Sequence, residues 1–419
     1  MKNVAAIILA AGRGTRMKSD TPKVLQELHN RPLLSFLIKT LDELDVKEKV
    51  LVVGSENKDI KKIFKDVNTI VQKKPLGSGD AAKCAKSYFA GFDGNLLVLC
   101  GDTPLIAKDT IERLVKKHIN EKASCTVLTA TVNDPTSYGR IVRDSRGRIA
   151  KIVEEKDLAD YEKAIQEINV GCYCFKTKDL FTHIKDLKIN PKKKEFYLTD
   201  IVGILWQNKK KIVSNSCTDS SEFLGINSQI DLAEANSVIK RKVLRKLMLE
   251  GVMITDPDST IIDMDAVIGK DTIIYPNTVI GKNTVIGKRC KIGPFARIRP
   301  GTELSDDVEI GNFVELVRTK ISSGTKVKHM TYLGDTSVGK NVNIGAGTIT
   351  ANYDGKKKNK TVIEDNAFIG VGSIFIAPVR VGRGATVGAG SVVTRNKNIP
   401  PRKTVVGVPA KILQKERRK

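Results

Sequence analysis

A repeat of six residues in the C-terminal part of the chain constrains the fold more than any other feature. Aliphatic side chains recur at every sixth position from Ile262 to Leu316, slip by one position near Ile321 and again before Val338, and resume at position 363 after a lysine-rich insertion. Neither the helical period of 3.6 nor the strand period of two explains this spacing. It predicts a parallel β-helix of roughly eight coils, in which three hexads close one triangular coil and the aliphatic side chains point inward. We expect a left-handed helix, an exception to the usual handedness of crossovers.

The residues before this repeat have a different pattern. Strand-like apolar runs at 50–53, 96–99, 125–130 and 170–175 alternate with helical patterns, which predicts an α/β sheet with crossover helices. Positions 230–250 predict one long helix, and Gly251 fits its C-terminal cap. The expected organisation is an α/β domain over 1–228, a helical linker over 229–250 and a β-helix domain over 251–419.

A loop rich in glycine and arginine follows the first predicted strand. Positions 9–17 read LAAGRGTRM, and the pattern after Pro22 predicts a helix. Glycines let the backbone approach a phosphate closely and leave its N–H groups free to bind anionic oxygens. Arg13, Arg16 and Lys23 bring positive charge to the same place. The spacing matches neither common nucleotide fingerprint, so this loop indicates another kind of phosphate site.

Composition excludes several classes of protein. No apolar run approaches the roughly 18 residues that span a bilayer, so we expect no membrane insertion. The seven cysteines are scattered without a Cys-x-x-Cys pair, which favours a reducing cytoplasm over a disulfide framework or zinc site. The net charge of +24 leaves open a basic nucleic-acid-binding module. Since no nucleic-acid motif accompanies the charge, phosphorylated small molecules are the expected partners.

Several further segments carry a family resemblance. They read LGSG at 76–79, GDTPL at 101–105, YGRI at 138–141, FYLTD at 196–200, GIN at 225–227, GPFARIRPG at 293–301, HMTYLGD at 329–335, NIGAGT at 343–348 and NYDG at 352–355. Together with the loop at 9–17, they resemble the bacterial bifunctional N-acetylglucosamine-1-phosphate uridylyltransferase/glucosamine-1-phosphate N-acetyltransferase family over nearly the whole chain. The resemblance implies a nucleotidyltransferase (Rossmann-like) domain, a left-handed β-helix, a homotrimer, and synthesis of UDP-N-acetylglucosamine for peptidoglycan and lipopolysaccharide precursors.

The first predicted reaction needs charge stabilisation more than a base. A sugar 1-phosphate is already an anionic nucleophile, so the catalyst must bring two polyanions together and stabilise the leaving pyrophosphate. Arg16 and Lys23 are the candidate catalytic cations. Asp102 follows a predicted strand and would hold Mg²⁺, and the resemblance gives Asn227 as the second ligand. The resemblance also implies a nucleotide and sugar site for UTP and the sugar phosphate at Leu9, Ala10, Ala11, Gly12, Lys23, Gln72, Gly77, Ser78, Asp102, Gly139, Glu154, Asn169 and Asn227.

The second predicted reaction is acetyl transfer to an amine. The attacking amine must lose a proton, and histidine is suited to accept it near neutral pH. Of the four histidines only His329 lies in a family motif, although a lone histidine is often structural. The resemblance implies sugar-phosphate binding by Arg299, Tyr332, Asn343 and Lys358, and acetyl-CoA binding by Ala346, Asn352, Tyr353 and Ala389.

Three positions depart from the family pattern. Val317, Val371 and Gly407 stand where the family has lysine, serine and arginine. Arg318 could replace part of the lost charge or point away from the site, because successive strand residues face opposite ways. We therefore expect weaker sugar-phosphate binding in the second reaction. The alternatives are a uridylyltransferase with the β-helix as a trimerisation scaffold, and a pyrophosphorylase for another sugar or nucleotide.

Overall fold

The structure is a computed structural model that describes residues 1, 3–12 and 14–413. The chain forms two compact units, Met1–Asn236 and Ser237–Lys419. Within the described ranges, no helix combines the length and apolar character that crossing a membrane would require.

The first unit is built on a nine-stranded mixed sheet and a separate hairpin. Its strands are β1 Val4–Ala10, β2 Glu27–Leu28, β3 Arg31–Pro32, β4 Lys49–Gly54, β5 Asn68–Gln72, β6 Asn95–Cys100, β7 Cys125–Thr131, β8 Arg140–Arg143, β9 Ile149–Val153, β10 Glu167–Lys176 and β11 Ile212–Ser216. The main path of the sheet runs β11-β7-β10-β6-β1-β4-β5, with β8 and β9 attached to β10.

Helices pack on both faces of this sheet. They are α1 Leu33–Glu43, α2 Lys58–Ile63, α3 Ser78–Cys84, α4 Lys108–Asn120, α5 Asp160–Lys163, α6 Thr177–His183 and α7 Asp200–Gln207. The last helix, α8 Gln229–Leu249, does not belong to these layers, and its Leu244 and Leu247 lie in the core of the second unit. Alternate residues of β1 belong to two different cores, with Ile8 in one and Ile7 in the other. A strand buried on both sides is therefore apolar along its whole length, which explains the uninterrupted run that opens the sequence.

The centre of the sheet positions the glycine-rich loop that follows β1. β1 pairs in parallel with both β4 and β6, and Leu9 lies opposite Cys100 in the pairing. The carboxyl ends of β1 and β6 therefore meet at one edge, and the segments that leave them begin side by side. This is the edge at which open α/β sheets bind ligands.

The predicted strands and the long helix are confirmed, with ends that extend by one to three residues or shift by one. Gly251 caps the helix with φ +91°, and the Val252 amide donates to the Leu247 carbonyl, as in a Schellman motif. The prediction of a helix directly after Pro22 is wrong. A 3₁₀ turn at Lys23–Leu25 leads into the β2–β3 hairpin instead, and the next α-helix starts at Leu33.

The reason for that difference is local turn geometry. His29 and Asn30 both have left-handed backbones, with φ +51° and +62°, between the paired residues Leu28 and Arg31. Two consecutive left-handed residues form the turn that matches the twist of a two-residue hairpin. This turn reverses the chain before a helix can propagate.

The second unit is a parallel β-helix of three sheets, and neighbouring coils are 18 residues apart where the repeat is regular, as between Ile262 and Ile280. The first sheet contains Met253–Ile254, Ile273–Ile274, Lys291–Ile292, Glu309–Asn312, Lys326–His329, Asn343–Ile344, Phe368–Ile369, Thr386–Val387 and Thr404–Val406, with Lys411–Ile412 added antiparallel. The second contains Ile261–Ile262, Val279–Ile280, Arg297–Ile298, Glu315–Val317, Tyr332–Gly334, Ile349–Ala351, Ile374–Ile376 and Val392–Val393. The third contains Val267–Ile268, Val285–Ile286, Glu303–Leu304, Lys320–Ile321, Thr336–Val338, Thr361–Ile363, Val379–Val381 and Asn398–Ile399.

The aliphatic members of the repeat form the core of this unit. Ile262, Ile280, Ile298 and Leu316 stack in one sheet and are almost fully buried. The two register slips fall between the second and third sheets, where Leu316 and Ile321 are five positions apart, as are Leu333 and Val338. The lysine-rich insertion leaves the next coil at the same corner, and the Asn359 amide closes it by donating to the Asn352 carbonyl.

Another corner, between the first and second sheets, exposes large apolar side chains. Phe295, Phe313 and Met330 occupy equivalent positions in successive coils, and all three have left-handed backbones. They are 49%, 59% and 61% exposed, and the two phenyl rings stack with centroids 5.3 Å apart. We call these three residues the apolar ladder.

Candidate active sites

A cavity of about 640 Å³ lies at the carboxyl edge of the central strands of the first unit. It brings together ten of the residues predicted for the nucleotide and sugar site: Leu9, Ala10, Ala11, Gly12, Lys23, Gln72, Gly77, Ser78, Asp102 and Glu154. Gly139, Asn169, Arg16 and Asn227 do not line it. Arg13, also predicted to bring positive charge, lies outside the described residues.

The glycines of the first loop have separate structural roles. Gly14 has φ +62°, and a side chain there would place its Cβ 2.7 Å from Lys23 Cβ, so glycine allows the loop to pack against Lys23. A Cβ built at Gly12 meets no atom within 4 Å. The backbone at Gly12 therefore faces open space in the cavity, where a ligand can approach it closely.

A second glycine segment forms the opposite wall. Gly77 has φ +96°, and its Cβ would lie 2.6 Å from the Phe196 carbonyl oxygen. Gln72 Nε2 donates to the Gly77 carbonyl at 3.0 Å and to Asp80 at 2.8 Å, which fixes the direction of the Gln72 amide. The first turn of α3 is thus held between two segments, with the Ser78 hydroxyl accepting from the Leu198 amide at 3.0 Å.

The four charged or amide side chains predicted for catalysis and metal binding form one cluster. Lys23 Nζ donates to Asp102 Oδ2 at 2.6 Å and to Asn227 Oδ1 at 3.0 Å, and Arg16 Nη2 donates to the same Asn227 oxygen at 2.9 Å. The Ile226 amide donates to the Asp102 carbonyl, which holds the two segments together. Two oxygens thus surround one cationic centre at the edge of the cavity.

The end of the cavity predicted to bind the sugar contains a half-buried acid, Glu154. Thr199 Oγ1 donates to Glu154 Oε1 at 2.8 Å. Burial raises the pKa of the Glu154 carboxyl against the effect of this hydrogen bond, and the carboxylates of Asp200 and Asp157 raise it further. Near this end, the Asn169 amide donates to the Gly139 carbonyl, and Asn169 Nδ2 donates to the Tyr173 hydroxyl at 2.7 Å.

Several residues that line the cavity were not assigned a role from the sequence, and two of them carry a carboxyl or phenol group. Glu195 and Tyr197 line its wall. Burial and the neighbouring carboxylates of Asp157 and Glu154 raise the pKa of Tyr197 to about 12, so the phenol remains a hydrogen-bond donor at neutral pH. Tyr197 lies in the FYLTD segment at 196–200, which resembles the family without indicating which side chain faces the cavity, and Glu195 lies just outside that segment.

In the second unit, His329 ends a strand of the first sheet. Its Nδ1 lies 2.8 Å from Asn312 Oδ1, and the two residues are register partners in neighbouring coils. Asn343, also predicted, follows in the next strand of the same sheet. Arg299, in contrast, lies beside the second sheet, where its Nη1 is 3.3 Å from Glu315 Oε1. Asn312 was missed because nothing in its local sequence marks it as a partner of His329.

The corner beyond Tyr332 differs from the family pattern in charge. Val317 is only 3% exposed, so it presents no polar group. Arg318 forms a two-pronged ion pair with Asp335, at 2.6 and 2.8 Å, and this pair holds the pKa of the Asp335 carboxyl below its usual range. Asn352 also donates to Asp335. The Arg318 guanidinium is therefore already engaged by a carboxylate.

Two of the predicted acetyl-CoA residues, Ala346 and Ala389, lie at the corner between the first and second sheets, whereas Asn352 and Tyr353 lie where the insertion leaves the corner between the second and third sheets. The Gly372 amide donates to the Ala346 carbonyl, and the Gly390 amide donates to the Val371 carbonyl, so Ala346, Val371 and Ala389 follow one another in successive coils. Tyr353 and Lys358 bridge across the base of the insertion, and Tyr353 remains largely exposed.

Two types of family match these two units. Residues 5–221 match the family described as nucleotidyl transferase. Residues 265–300 and 283–318 match the bacterial transferase hexapeptide repeat, and residues 360–395 match the hexapeptide repeat of succinyl-transferase. The chain is thus a nucleotidyltransferase joined to a hexapeptide-repeat transferase, and its second unit is a left-handed β-helix.

Relatives that match nearly the whole chain narrow this class. Bifunctional protein GlmU of Acetivibrio thermocellus is 43% identical, over 94% of this chain and 93% of its own length. GlmU of Pelobacter propionicus is 42% identical over 94% of each chain. GlmU of Geotalea daltonii is 40% identical over 96% of this chain and 95% of its own. The chain belongs to the family of bifunctional GlmU proteins, and it is a bifunctional enzyme with uridylyltransferase and acetyltransferase activities.

Proposed function

We propose that residues 251–419 acetylate glucosamine 1-phosphate with acetyl-CoA, and that residues 1–228 transfer UMP from UTP to N-acetylglucosamine 1-phosphate. Residues 229–250 form a helical linker between them. The product is UDP-N-acetylglucosamine for peptidoglycan and lipopolysaccharide precursors. The observation that carries the uridylyltransferase assignment is the Lys23, Asp102 and Asn227 cluster at the edge of a cavity lined by the glycine loop.

Mg²⁺ is the cofactor proposed for this cluster. Asp102 Oδ2 and Asn227 Oδ1 both lie within 3.0 Å of one ammonium nitrogen, so the two oxygens already surround a cation. Such oxygen donors suit Mg²⁺, which keeps waters and phosphate oxygens in its remaining positions. When bound, the ion neutralises phosphate charge. The Ile226 amide holds Asp102 in place by donating to its carbonyl, and the Arg16 guanidinium holds Asn227 by donating to its side-chain oxygen.

The chain's own residues supply the remaining steps of uridylyl transfer. A phosphate oxygen of the sugar phosphate attacks the α-phosphorus of UTP, and the bond to pyrophosphate breaks. Arg16 and Lys23 bind the phosphates and stabilise the charge that moves to the leaving group. Glu154, with its raised pKa, and Asn169 bind the sugar hydroxyls. Gln72, Gly77 and Ser78 form the wall against the base.

Asp102→Ala tests the uridylyltransferase assignment. Pyrophosphate release from UTP and N-acetylglucosamine 1-phosphate should be lost in the folded variant, while acetyl transfer continues. Near-normal pyrophosphate release would contradict the proposed metal site. The fluorescence of Trp206, which belongs to the same unit as Asp102, checks that this unit has folded.

In the second reaction, His329 accepts a proton from the amine of glucosamine 1-phosphate. The amine attacks the acetyl carbonyl, and the CoA thiolate leaves and takes up a proton. Arg299, Tyr332, Asn343 and Lys358 bind the sugar phosphate, and Ala346, Asn352, Tyr353 and Ala389 bind acetyl-CoA. Since Val317 offers no charge and Arg318 is paired with Asp335, we expect a high KM for the sugar phosphate.

CoA-thiol release measures this reaction. Wild type should release thiol when glucosamine 1-phosphate is raised into the millimolar range, and His329→Ala should not. Absence of release by wild type at saturation, or equal rates in both proteins, would favour the alternative in which the β-helix is a trimerisation scaffold.

A homotrimer is the proposed assembly. The apolar ladder of Phe295, Phe313 and Met330 runs along one corner of the β-helix and is about half exposed. A continuous exposed apolar strip is typical of an interaction surface, and hexapeptide transferases form trimers along the helix axis. The ladder adjoins Asn312 and His329, so the acetyl-transfer site would lie near the interface between subunits.

A further inference from the structure

The hydrogen bond between His329 and Asn312 is part of the regular ladder of the β-helix. The two residues occupy the same register position in neighbouring coils, and each precedes a residue with a left-handed backbone, Phe313 and Met330. The Met330 amide also donates to the Asn312 carbonyl at 3.0 Å. This backbone bond and the register pairing hold the Asn312 side chain beside the imidazole of the neighbouring coil.

We propose that Asn312 is a positioning residue that selects the tautomer of His329, an inference that rests on the proposed role of His329 as the base. A neutral imidazole carries a proton on only one nitrogen. The Asn312 oxygen, 2.8 Å away, only accepts, so Nδ1 carries the proton and Nε2 keeps its lone pair. Nε2 is then the atom that takes the proton from the substrate amine.

The chemistry of the partner matters as well as its position. A carboxylate beside the imidazole would select the same tautomer and would also favour the charged form of the ring. An amide carries no net charge, so it orients the base without this second effect. The opposite amide orientation, with the Asn312 NH₂ group donating to Nδ1, would put the proton on Nε2 and leave no base facing the substrate.

Nitrogen NMR distinguishes the two tautomers without any substrate. The full chain labelled with ¹⁵N-histidine contains only four histidines, and His329→Ala identifies the signals of interest. At a pH where the ring is neutral, Nε2 should show the shift of a bare nitrogen and Nδ1 that of a protonated one. Asn312→Ala should move both shifts toward the opposite tautomer, and Asn398→Ala, at an exposed position of another sheet, should leave them unchanged. A wild-type ring protonated on Nε2 would overturn the proposal.

Kinetics gives the second measurement. Asn312→Ala should lower kcat for thiol release by roughly 10- to 100-fold, as other residues that orient a histidine do, with little change in KM for either substrate. Asn312→Asp keeps an acceptor oxygen and should recover most of the activity. If Asn312→Ala changes KM alone, or if Asn312→Asp is as slow as Asn312→Ala, the positioning role is wrong. Thiol release by His329→Ala at the wild-type rate would instead refute the base itself, whatever the tautomer.

Discussion

Lys23→Gln would remove the ammonium group between Asp102 and Asn227 and keep a polar side chain of similar length. The Lys23 and Asp102 side chains are 12% and 26% exposed, and their polar atoms are 2.6 Å apart. A hydrogen bond to a charged group contributes about 1.5–3 kcal/mol. If the bond acts fully on the transition state, this energy corresponds to roughly 10- to 150-fold in rate. Since loss of one donor to developing charge costs about 10²–10³ in kcat, we expect a fall near 100-fold.

Although Lys23→Gln should lower the rate, it should strengthen the binding of Mg²⁺. The Lys23 ammonium and Mg²⁺ compete for the same two oxygens, so removing the ammonium should lower the Mg²⁺ concentration that gives the half-maximal rate. Asp102→Asn removes a negative charge from the same cluster and should raise that concentration. Both variants are slow, but they differ in the direction of their metal dependence.

Pyrophosphate release at several Mg²⁺ concentrations provides the assay. Lys49→Gln is the matched control, because it breaks an ion pair of the same 2.6 Å length, with Asp42, away from the cavity. It should retain wild-type kinetics. A kcat for Lys23→Gln close to that of the control would refute the assigned geometry. The geometry would also be refuted if Lys23→Gln and Asp102→Asn shifted the half-maximal Mg²⁺ concentration in the same direction.

Three further variants test other parts of the structure. Gly77→Ala should weaken UTP binding and destabilise the first unit by about 1–3 kcal/mol more than Gly91→Ala. Both glycines have positive φ, but only at Gly77 would the new Cβ meet a backbone oxygen. Denaturation followed by the fluorescence of the single tryptophan measures the difference, and equal losses of stability would contradict it. Burial lowers the pKa of His118 to about 4, so the unfolded chain protonates first below pH ~6.5, and the unfolding free energy should fall by about 3 kcal/mol between pH 7 and pH 4. His118→Gln should lose that part of the pH dependence, and an unchanged pH profile would contradict it. Phe313→Asp should convert the proposed trimer to smaller species in sedimentation while uridylyl transfer persists. A trimer that survives this substitution would exclude the apolar ladder as its interface.

The fold was predictable where one physical requirement repeats. Each inward position of the β-helix needs an aliphatic side chain, so the same requirement recurs in every coil, as at Ile262, Ile280 and Ile298. The hairpin after Pro22 was not predictable in this way. Its determinant is the pair of left-handed residues His29 and Asn30, and neither is glycine, whose presence would have marked the turn.

The candidate sites divide along similar lines. The glycine loop is contiguous, so its chemistry can be recognised in the sequence. Contacts such as Lys23 with Asn227, or His329 with Asn312, join segments that only the sheet or the coil brings together. Arg318 is an example of what the sequence cannot predict. Its position suggests that it replaces the lysine missing at Val317, and only the structure shows that it is paired with Asp335.

The corner between the second and third sheets carries both register slips and the insertion of the β-helix. It is one residue short after Leu316 and after Leu333, and in the next coil it releases the insertion closed by Asn352 and Asn359. The aliphatic stack continues on either side because each coil is tied only to its neighbours. Loops at this corner can therefore become shorter or longer during evolution, and the specificity of the enzyme can change, while the stacked core of the β-helix stays the same.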